Sequence, residues 1–433
     1  MSPSLPNSPT PSSQRQTAGL SHRVGTTTVT VRGADGEPLA AVPVTVEQAS
    51  HQFGFGNIGF DFVALANGET DDADHVFGGA SVGSARHLAD LWFGLFNHAT
   101  LPFYWRGFEP ERGKPDTARI LTAARWFVER GVTVKGHPLL WHTLAPKWLL
   151  GLVDDEVERT IRARITRDVT DFAGVIDLWD AINEAVILPV FTAEENAVTR
   201  LARTKGRVEM VRMAFETARA ANPAARLVLN DFDLSADYEN LIEECLGASI
   251  RIDAIGVQTH MHQGFRGEDQ IWDILERFGR FGLPVQMTET TLLSGDLMPP
   301  EIVDLNDYQV ESWPTTPEGE ARQADEMVRH YRTVVSHPAV ESLTYWGFAD
   351  EGAWLGAPSG FIRLDGSPKP AYDALRALIT GEWWLAPTEA VTDADGRVAV
   401  SGFGGEYRVS ARRGAAAVAV RAGLDSAVDV TLA

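Results

Sequence analysis

The sequence predicts an α/β fold, a (β/α)8 TIM barrel with a small β-sandwich formed by the N- and C-terminal segments. Two observations carry this prediction. Strand-like and helix-like stretches alternate through the middle of the chain, as an α/β fold requires, and eight such units over roughly 330 residues favour a closed barrel. Both ends instead show the apolar-polar alternation of β-hairpins.

The middle of the chain contains short apolar runs that are typical of buried strands. Helical periodicity fills the gaps between them, and proline follows predicted helix ends at Asn222-Pro223 and His337-Pro338. The predicted barrel strands are Phe53–Gly59, Phe96–Leu101, Val132–Leu140, Leu178–Asn183, Arg226–Asn230, Ala254–Gln258, Val285–Thr288 and Leu343–Gly347.

Four segments follow from these patterns. Residues 1–21 are rich in Ser, Pro, Thr and Gln, and we predict a disordered tail there. Residues 22–52 and residues 382–433 carry alternating strands and Asp-Gly turns, but each is too short to fold well alone. We therefore expect these two segments to complete one β-sandwich, with a catalytic barrel over residues 53–381 inserted between them.

Composition limits the partners. The 433 residues include 59 Asp plus Glu against 38 Lys plus Arg, a formal net charge of −21. That charge disfavours nucleic acid and anionic membranes and suits a neutral substrate. The chain has neither a membrane-spanning apolar run nor a signal-peptide pattern. We expect a cytoplasmic location, or secretion if a natural leader precedes this sequence; the oligomeric state stays open.

Two glutamates stand at the ends of predicted barrel strands. Glu184 follows the apolar run that begins at Leu178, and Glu289 follows the run that begins at Val285. The C-terminal ends of barrel strands form the rim that carries catalytic residues. A single Glu at such a position is a structural ion-pair partner about as often as it is a catalytic group. Two such Glu residues together favour the paired carboxylates that cleave glycosidic bonds.

Further polar and aromatic side chains follow the same predicted strands. Amides and imidazoles bind hydroxyl groups, and indole faces stack on sugar rings, so this rim suits a carbohydrate. A metal site built from histidines is the weaker alternative, because no HExxH-type spacing occurs. The rim residues are His137, Trp141, His142, Asn183, Asn230, Asp231, Gln258, His260, His262, Trp346 and Trp354.

In combination these motifs resemble glycoside hydrolase family 10, the retaining β-1,4-xylanases, from about Phe53 to Ala377. The matching segments are Lys135-Gly136-His137, Leu140-Trp141-His142, Trp179-Asp180-Ala181-Ile182-Asn183-Glu184, Leu229-Asn230-Asp231, Gln258-Thr259-His260, Thr288-Glu289 and Trp346-Gly347-Phe348. The resemblance implies a (β/α)8 barrel, Glu184 as acid/base, Glu289 as nucleophile, a carbohydrate or glycoside substrate, and no metal or organic cofactor.

The same matching extends to the residues around the pair. It implies sugar-binding or carboxylate-supporting roles for His137, Asn183, Gln258, His260 and Trp346. Asn183 is expected to bind the sugar 2-hydroxyl group next to the cleaved glycosidic bond. The full set of predicted substrate-binding residues is His137, Trp141, Asn183, Asn230, Gln258, His260, Trp346, Trp354 and Tyr104.

The sequence departs from the family pattern in two places. After the second strand, Leu101 and Tyr104 replace a sugar-binding Asn and Lys of the family. After the nucleophile, Thr291 replaces an Asp that braces the sixth-strand histidine. These departures predict an altered glycone subsite and weak activity on unsubstituted xylan. The alternatives are a glycosidase specific for saponins or small glycosides, and a non-catalytic carbohydrate-binding protein on a degenerate barrel.

Overall fold

The structure is a computed structural model that describes residues 19–70, 80–412 and 414–432. Residues 1–18 of the predicted tail lie outside this range, and its last residues form a turn that leads into a short 3-10 helix, Ser21–Arg23. The strands are β1 (Val24–Arg32), β2 (Pro43–Gln48), β3 (Gly54–Ile58), β4 (His98–Pro102), β5 (Thr133–His137), β6 (Leu178–Asn183), β7 (Arg226–Asp231), β8 (Ala254–Met261), β9 (Val285–Leu292), β10 (Val340–Tyr345), β11 (Thr388–Val391), β12 (Arg397–Phe403), β13 (Gly405–Ala411), β14 (Gly414–Val420) and β15 (Asp425–Thr431).

Strands β3 to β10 close into a parallel barrel in chain order, with β10 pairing both β9 and β3. The predicted (β/α)8 barrel is therefore confirmed. Strands β8 and β9 run past their predicted ends, to Met261 and Leu292, because they stay paired with each other. Glu289 consequently lies inside a strand rather than after one.

Helices cover the outside of the barrel, as right-handed β-α-β crossovers require. Two consecutive helices, Ala197–Lys205 and Arg207–Ala221, are separated by Gly206, whose φ of 80° breaks the helical conformation. The longer helices are α1 (Val82–Phe93), α2 (Thr117–Val128), α3 (Asp154–Asp171), α4 (Ala197–Lys205), α5 (Arg207–Ala221), α6 (Ala236–Gly247), α7 (Glu268–Gly279), α8 (Pro317–Ser336) and α9 (Pro370–Ala377).

The terminal segments form two small sheets beside the barrel. One sheet has the order β12-β1-β15, and the other has the order β11-β2-β13-β14. Alternate residues of both sheets, such as Val29, Val44 and Val409, are fully buried and pack into a core separate from the barrel core. The predicted pairing of the two chain ends is therefore present, and each sheet contains strands from both ends.

Arg23 ties this terminal unit to the barrel. Its guanidinium donates hydrogen bonds to the carbonyl oxygens of Val335 at 2.8 Å, His337 at 2.8 Å and Val340 at 2.6 Å. The Val335 and His337 carbonyls lie at the C-terminal end of α8, where backbone acceptors have no helical partner, and Val340 begins β10. The contact fixes the terminal sheets at the end of the barrel opposite the strand C-termini. Within the described residues, no helix combines the length and the apolar character that crossing a membrane demands.

Candidate active site

Glu184 stands immediately after β6 in an uncommon backbone conformation. Its φ is 56°, a left-handed value that costs a non-glycine residue free energy. Its backbone N–H donates to the carbonyl oxygen of Asn230 at 2.8 Å, which ties this conformation to the end of β7. Two residues before Asn183, the β6–β7 register skips Ala181, and such bulges redirect the side chains that follow.

The Glu184 carboxyl group lies in a largely enclosed pocket, with 14% of the side chain exposed. Trp141 Nε1–H donates to its Oε2 at 2.8 Å, and Asn183 Nδ2 donates to its Oε1 at 3.2 Å. Burial raises the pKa of Glu184 to about 8, the Trp141 hydrogen bond opposes the rise, and the charge of Glu289 adds to it. Glu184 therefore holds a proton at neutral pH and can donate it.

Two nitrogen groups lie within hydrogen-bonding distance of the Glu289 carboxyl group. Asn230 Nδ2 donates to its Oε1 at 3.0 Å, and His260 Nε2 lies 3.1 Å from its Oε2. A second imidazole, His137 Nε2, lies 3.9 Å from Oε1. A register skip at Thr288, between the Val257–Met287 and Gln258–Glu289 pairs, sets the direction of this side chain. The arrangement suits an ionised carboxylate.

A chain of amides joins the two carboxylates. Asn183 Oδ1 accepts from Asn230 Nδ2 at 2.8 Å and from Gln258 Nε2 at 3.0 Å, while Thr288 Oγ1 donates to Asn230 Oδ1 at 2.6 Å. Asn230 is fully buried and both of its amide hydrogens are engaged. This corrects the expectation that Asn230 binds substrate, because it supports the carboxylates from behind.

No role was assigned to Asp180 from the sequence. Asp180 is fully buried and accepts from His137 Nδ1–H at 2.7 Å and from Lys135 Nζ, whose distance to Oδ2 is 2.9 Å. Although burial favours the neutral acid, Lys135 and His137 hold the pKa of Asp180 below its ordinary value. The signal was available, since a Lys and an Asp inside apolar strands need each other when buried.

Aromatic rings form a wall beside the carboxylates. The Tyr104 ring centroid lies 5.6 Å from Trp141, 5.7 Å from His137 and 5.8 Å from Phe60. Trp346 lies 5.2 Å from His137 and 5.8 Å from Phe60, so it joins the same wall. Phe60 was not anticipated, because it follows β3 in a short 3-10 turn that no motif marks.

Trp354 completes the ring of predicted site residues on the side of the histidines. Its ring lies 4.8 Å from His260 and 5.2 Å from His262. The structure thus brings the predicted substrate-binding residues together around Glu184 and Glu289, and several of them, Trp141, Asn183 and Gln258 as well as Asn230, bond the carboxyl groups or the amide chain between them.

The family model for "Glycosyl hydrolase family 10" matches residues 102–378, which is well over half of the chain. The chain belongs to this family. It is therefore a glycoside hydrolase of the retaining type.

Curated relatives of this family 10 chain carry xylanase names. The chain is 26% identical over 298 residues to endo-1,4-beta-xylanase B of Thermotoga neapolitana, covering 64% of this chain and 78% of that protein. It is 26% identical over 243 residues to beta-1,4-xylanase of Dictyoglomus thermophilum, covering 53% of this chain and 63% of that protein.

Solved structures agree on the fold. Xylanase 10B from Thermotoga petrophila RKU-1, solved in complex with xylobiose, matches with a TM-score of 0.61 at 21% identity, over 76% of this chain and 95% of that one. The family 10 structure from Paenibacillus barcinonensis matches with a TM-score of 0.59 at 24% identity, over 75% and 94% of the two chains.

The structure corrects the expectation that Leu101, one of the departures from the family 10 pattern, lines the sugar site. Leu101 is fully buried. A Cβ placed on Gly59 would lie 3.1 Å from Leu101 Cδ2 and 2.8 Å from the Phe127 ring, so Leu101 points into the layer between barrel and helices. Leu101 therefore acts through packing rather than as a face of the sugar site, and Tyr104 is left as the altered residue at the site.

Asp231 and the histidines were considered as metal ligands. Asp231 instead accepts backbone hydrogen bonds from Val186 at 3.0 Å and Asp233 at 3.0 Å, which fix the loop after Glu184. Burial raises the pKa of Asp231 to about 7, against the pull of these N–H groups. Across the described ranges, no three His, Cys, Asp or Glu side chains are grouped as metal ligands would be.

Proposed function

We propose that this family 10 enzyme cleaves a β-glycosidic bond by double displacement, with Glu289 as nucleophile and Glu184 as acid/base. One observation carries the proposal. The two carboxyl groups share one amide chain and both are largely buried, yet burial and the charge of Glu289 raise the pKa of Glu184 to about 8. Glu289 instead has an amide and an imidazole within hydrogen-bonding distance and a second imidazole at 3.9 Å. Two carboxyls whose environments differ in this way take opposite roles.

In the first step a carboxylate oxygen of Glu289 attacks the anomeric carbon and forms an ester bond to it. The bond from that carbon to the leaving oxygen breaks, and the Glu184 proton moves to this oxygen. In the second step Glu184 takes a proton from water while the water oxygen attacks the same carbon. The ester bond then breaks, the sugar leaves with its original configuration, and both carboxyl groups return to their starting states.

The electrostatics of the pair explain how Glu184 changes role. The negative charge of Glu289 contributes to the raised pKa of Glu184. Esterification of Glu289 removes that charge, so the pKa of Glu184 falls in the intermediate. The same group is then an acid when a proton must be given and a base when one must be taken.

The test compares two variants on two aryl β-xylobiosides that differ in leaving group. Dinitrophenolate leaves without protonation, whereas an unactivated phenol needs the acid. We expect Glu184→Ala to lose about 10²–10⁴-fold in kcat/KM on the unactivated glycoside and much less on the dinitrophenyl glycoside. Glu289→Ala should lose activity on both. Equal losses for Glu184→Ala on the two substrates would contradict the assignment.

For the substrate, we propose a β-linked glycone that is shorter or less polar than the xylan chain for which the curated relatives are named. The support is Tyr104, which stands where the family carries a cationic Lys. Burial, with the charges of Glu289, Glu184 and Asp180, raises the pKa of Tyr104 well above its ordinary value. The wall beside the carboxylates therefore offers a neutral phenol and ring faces instead of an ammonium group.

Kinetics on xylo-oligosaccharides beside aryl glycosides and plant saponins test this specificity. We expect Tyr104→Lys to raise kcat/KM on xylohexaose by about tenfold, because a lysine adds a charge-assisted hydrogen bond, while Tyr104→Phe gives no gain. Wild-type turnover of xylohexaose at about 10⁴ M⁻¹s⁻¹ or more would overturn the proposal. In that case the Tyr104 phenol itself would be the sugar ligand, and Tyr104→Phe should lose the activity.

A further inference from the structure

We propose that Thr291 is a positioning residue that sets the proton arrangement of His260 and so presents an N–H to the nucleophile Glu289. The inference rests on the proposed role of Glu289 and concerns a residue that departs from the family pattern. Thr291 lies on β9, opposite His260 on β8 in the strand register.

The Thr291 hydroxyl group lies at the centre of a small network. Its Oγ1 is 3.4 Å from His260 Nδ1 and 3.3 Å from His262 Nδ1. The backbone N–H of Met261 also donates to Oγ1, at 3.2 Å. A hydroxyl group has one hydrogen to give and two lone pairs to receive with. One of the two imidazoles must therefore donate to Oγ1 while the other accepts from it.

With both imidazoles neutral, one arrangement places a hydrogen in each of these contacts. Thr291 Oγ1–H donates to His260 Nδ1, while Met261 N–H and His262 Nδ1–H donate to Thr291 Oγ1. His260 then carries its hydrogen on Nε2, which lies 3.1 Å from Glu289 Oε2 and donates to it. In the reversed arrangement a bare Nε2 would face the carboxylate, and two acceptors would be in contact without a hydrogen between them.

The state of His262 agrees with this assignment. Among the described residues, His262 Nε2 has no hydrogen-bond partner. A buried N–H without an acceptor is rarer than a buried lone pair without a donor, so Nε2 is the bare nitrogen and Nδ1 carries the hydrogen. Burial and the neighbouring His260 lower the pKa of His262 to about 3, which keeps this ring neutral.

A threonine acts differently from an aspartate at this position. An anion beside Nδ1 would favour imidazolium at His260, whereas a hydroxyl fixes the tautomer without adding charge. The charged and titratable groups that face His260 are Glu289 across the strand, His262 on its own strand, and His137 and Glu184 beyond Glu289. With Thr291, the charge of Glu289 is met by a neutral N–H donor on this side.

The first experiment needs no turnover. Long-range ¹H–¹⁵N spectra of the full chain with ¹⁵N-labelled histidine report which ring nitrogens carry hydrogen, and His260→Gln and His262→Gln assign the signals. We expect His260 with hydrogen on Nε2 alone and His262 with hydrogen on Nδ1 alone at pH 7. Hydrogen on Nδ1 of His260, alone or with Nε2, would overturn the inference even if Glu289 is the nucleophile.

Variants of Thr291 then connect the tautomer with turnover. We expect Thr291→Val, which has the same shape without the hydroxyl, to lower kcat/KM by about 10–100-fold, and Thr291→Ser to stay within about threefold of wild type. Thr291→Asp should move the acid limb of the pH profile to lower pH, because imidazolium at His260 favours ionised Glu289. Equal losses for Val and Ser, or an acid limb unmoved in Thr291→Asp, would contradict the positioning role.

Discussion

Glu184 and Glu289 are the same residue type at the same rim of one barrel, but they receive different contacts. Glu184 has an indole N–H and an amide N–H within hydrogen-bonding distance, and the His142 imidazole lies 3.7 Å from its Oε2. Burial lowers the pKa of His142 to about 3, so this ring adds no positive charge beside Glu184. Glu289 has an amide and an imidazole within hydrogen-bonding distance and a second imidazole at 3.9 Å. The first environment holds a proton, and the second is built for a negative charge.

The difference shows that chemical role follows from neighbours rather than from residue type. Burial disfavours charge, while donors that converge on a carboxylate favour it. The electrostatic link between the two residues adds to the separation, because the charge of Glu289 contributes to the raised pKa of Glu184. Each of the following variants changes one side of this comparison.

Removal of Asn230 should have the largest effect. Asn230→Ala deletes the N–H donor to Glu289 Oε1 and the link to Asn183, so it damages the nucleophile side and the bridge together. We expect kcat/KM to fall by on the order of 10²-fold. Asn222→Ala is the control, since Asn222 bonds Asp177 at the other end of the barrel. A loss no larger than that of the control would show that Asn230 is dispensable.

Removal of the Trp141 indole N–H should affect Glu184 and not Glu289. The Trp141 hydrogen bond lowers the pKa of Glu184, so Trp141→Phe should raise it further. A higher pKa keeps the acid protonated to higher pH, and the alkaline limb of kcat/KM should move upward by up to about one pH unit. Trp148→Phe is the matched control, because Trp148 Nε1 donates to the backbone of Glu109 instead. A downward shift of the alkaline limb in Trp141→Phe would contradict the account.

Neutralising Glu184 should change stability in a pH-dependent way. The folded-state pKa is raised from 4.5 to about 8, so its contribution to folding is fully present below about 4.5 and is lost as pH rises through 8. Glu184→Gln has no such loss. Its free energy of unfolding, measured relative to wild type, should therefore rise between pH 5 and pH 9, by on the order of 1–3 kcal/mol. Glu216→Gln, on the exposed surface, should show no such trend.

Much of this site could be predicted from the sequence, because most functional residues lie within or just after an apolar strand whose C-terminal end must reach the barrel rim. The two register skips, at Ala181 and Thr288, could not be predicted. A bulge depends on the pairing of two distant strands, and neither partner reveals it alone. The same skips decide which way Asn183 and Glu289 face.

Burial explains the other gaps. Leu101 was expected to face the sugar because alternation along a strand does not say which face is the mouth and which is the helix layer. Asn230 was expected to bind hydroxyls because an amide at a rim suits that task, but its neighbours use both hydrogens first. Phe60 lies in a short turn that no local motif marks, and Asp180 stands in a recognised motif but acts only through Lys135 and His137, which the fold brings near it.

Titration of Glu184 itself tests the central claim most directly. Carboxyl ¹³C signals of glutamate-labelled enzyme can be followed against pH, with Glu184 assigned by its absence in Glu184→Gln. The account predicts a midpoint near 8 for Glu184. A midpoint at or below about 5, the range of an ordinary glutamate, would mean that Glu184 is ionised at neutral pH and would contradict its assignment as the acid.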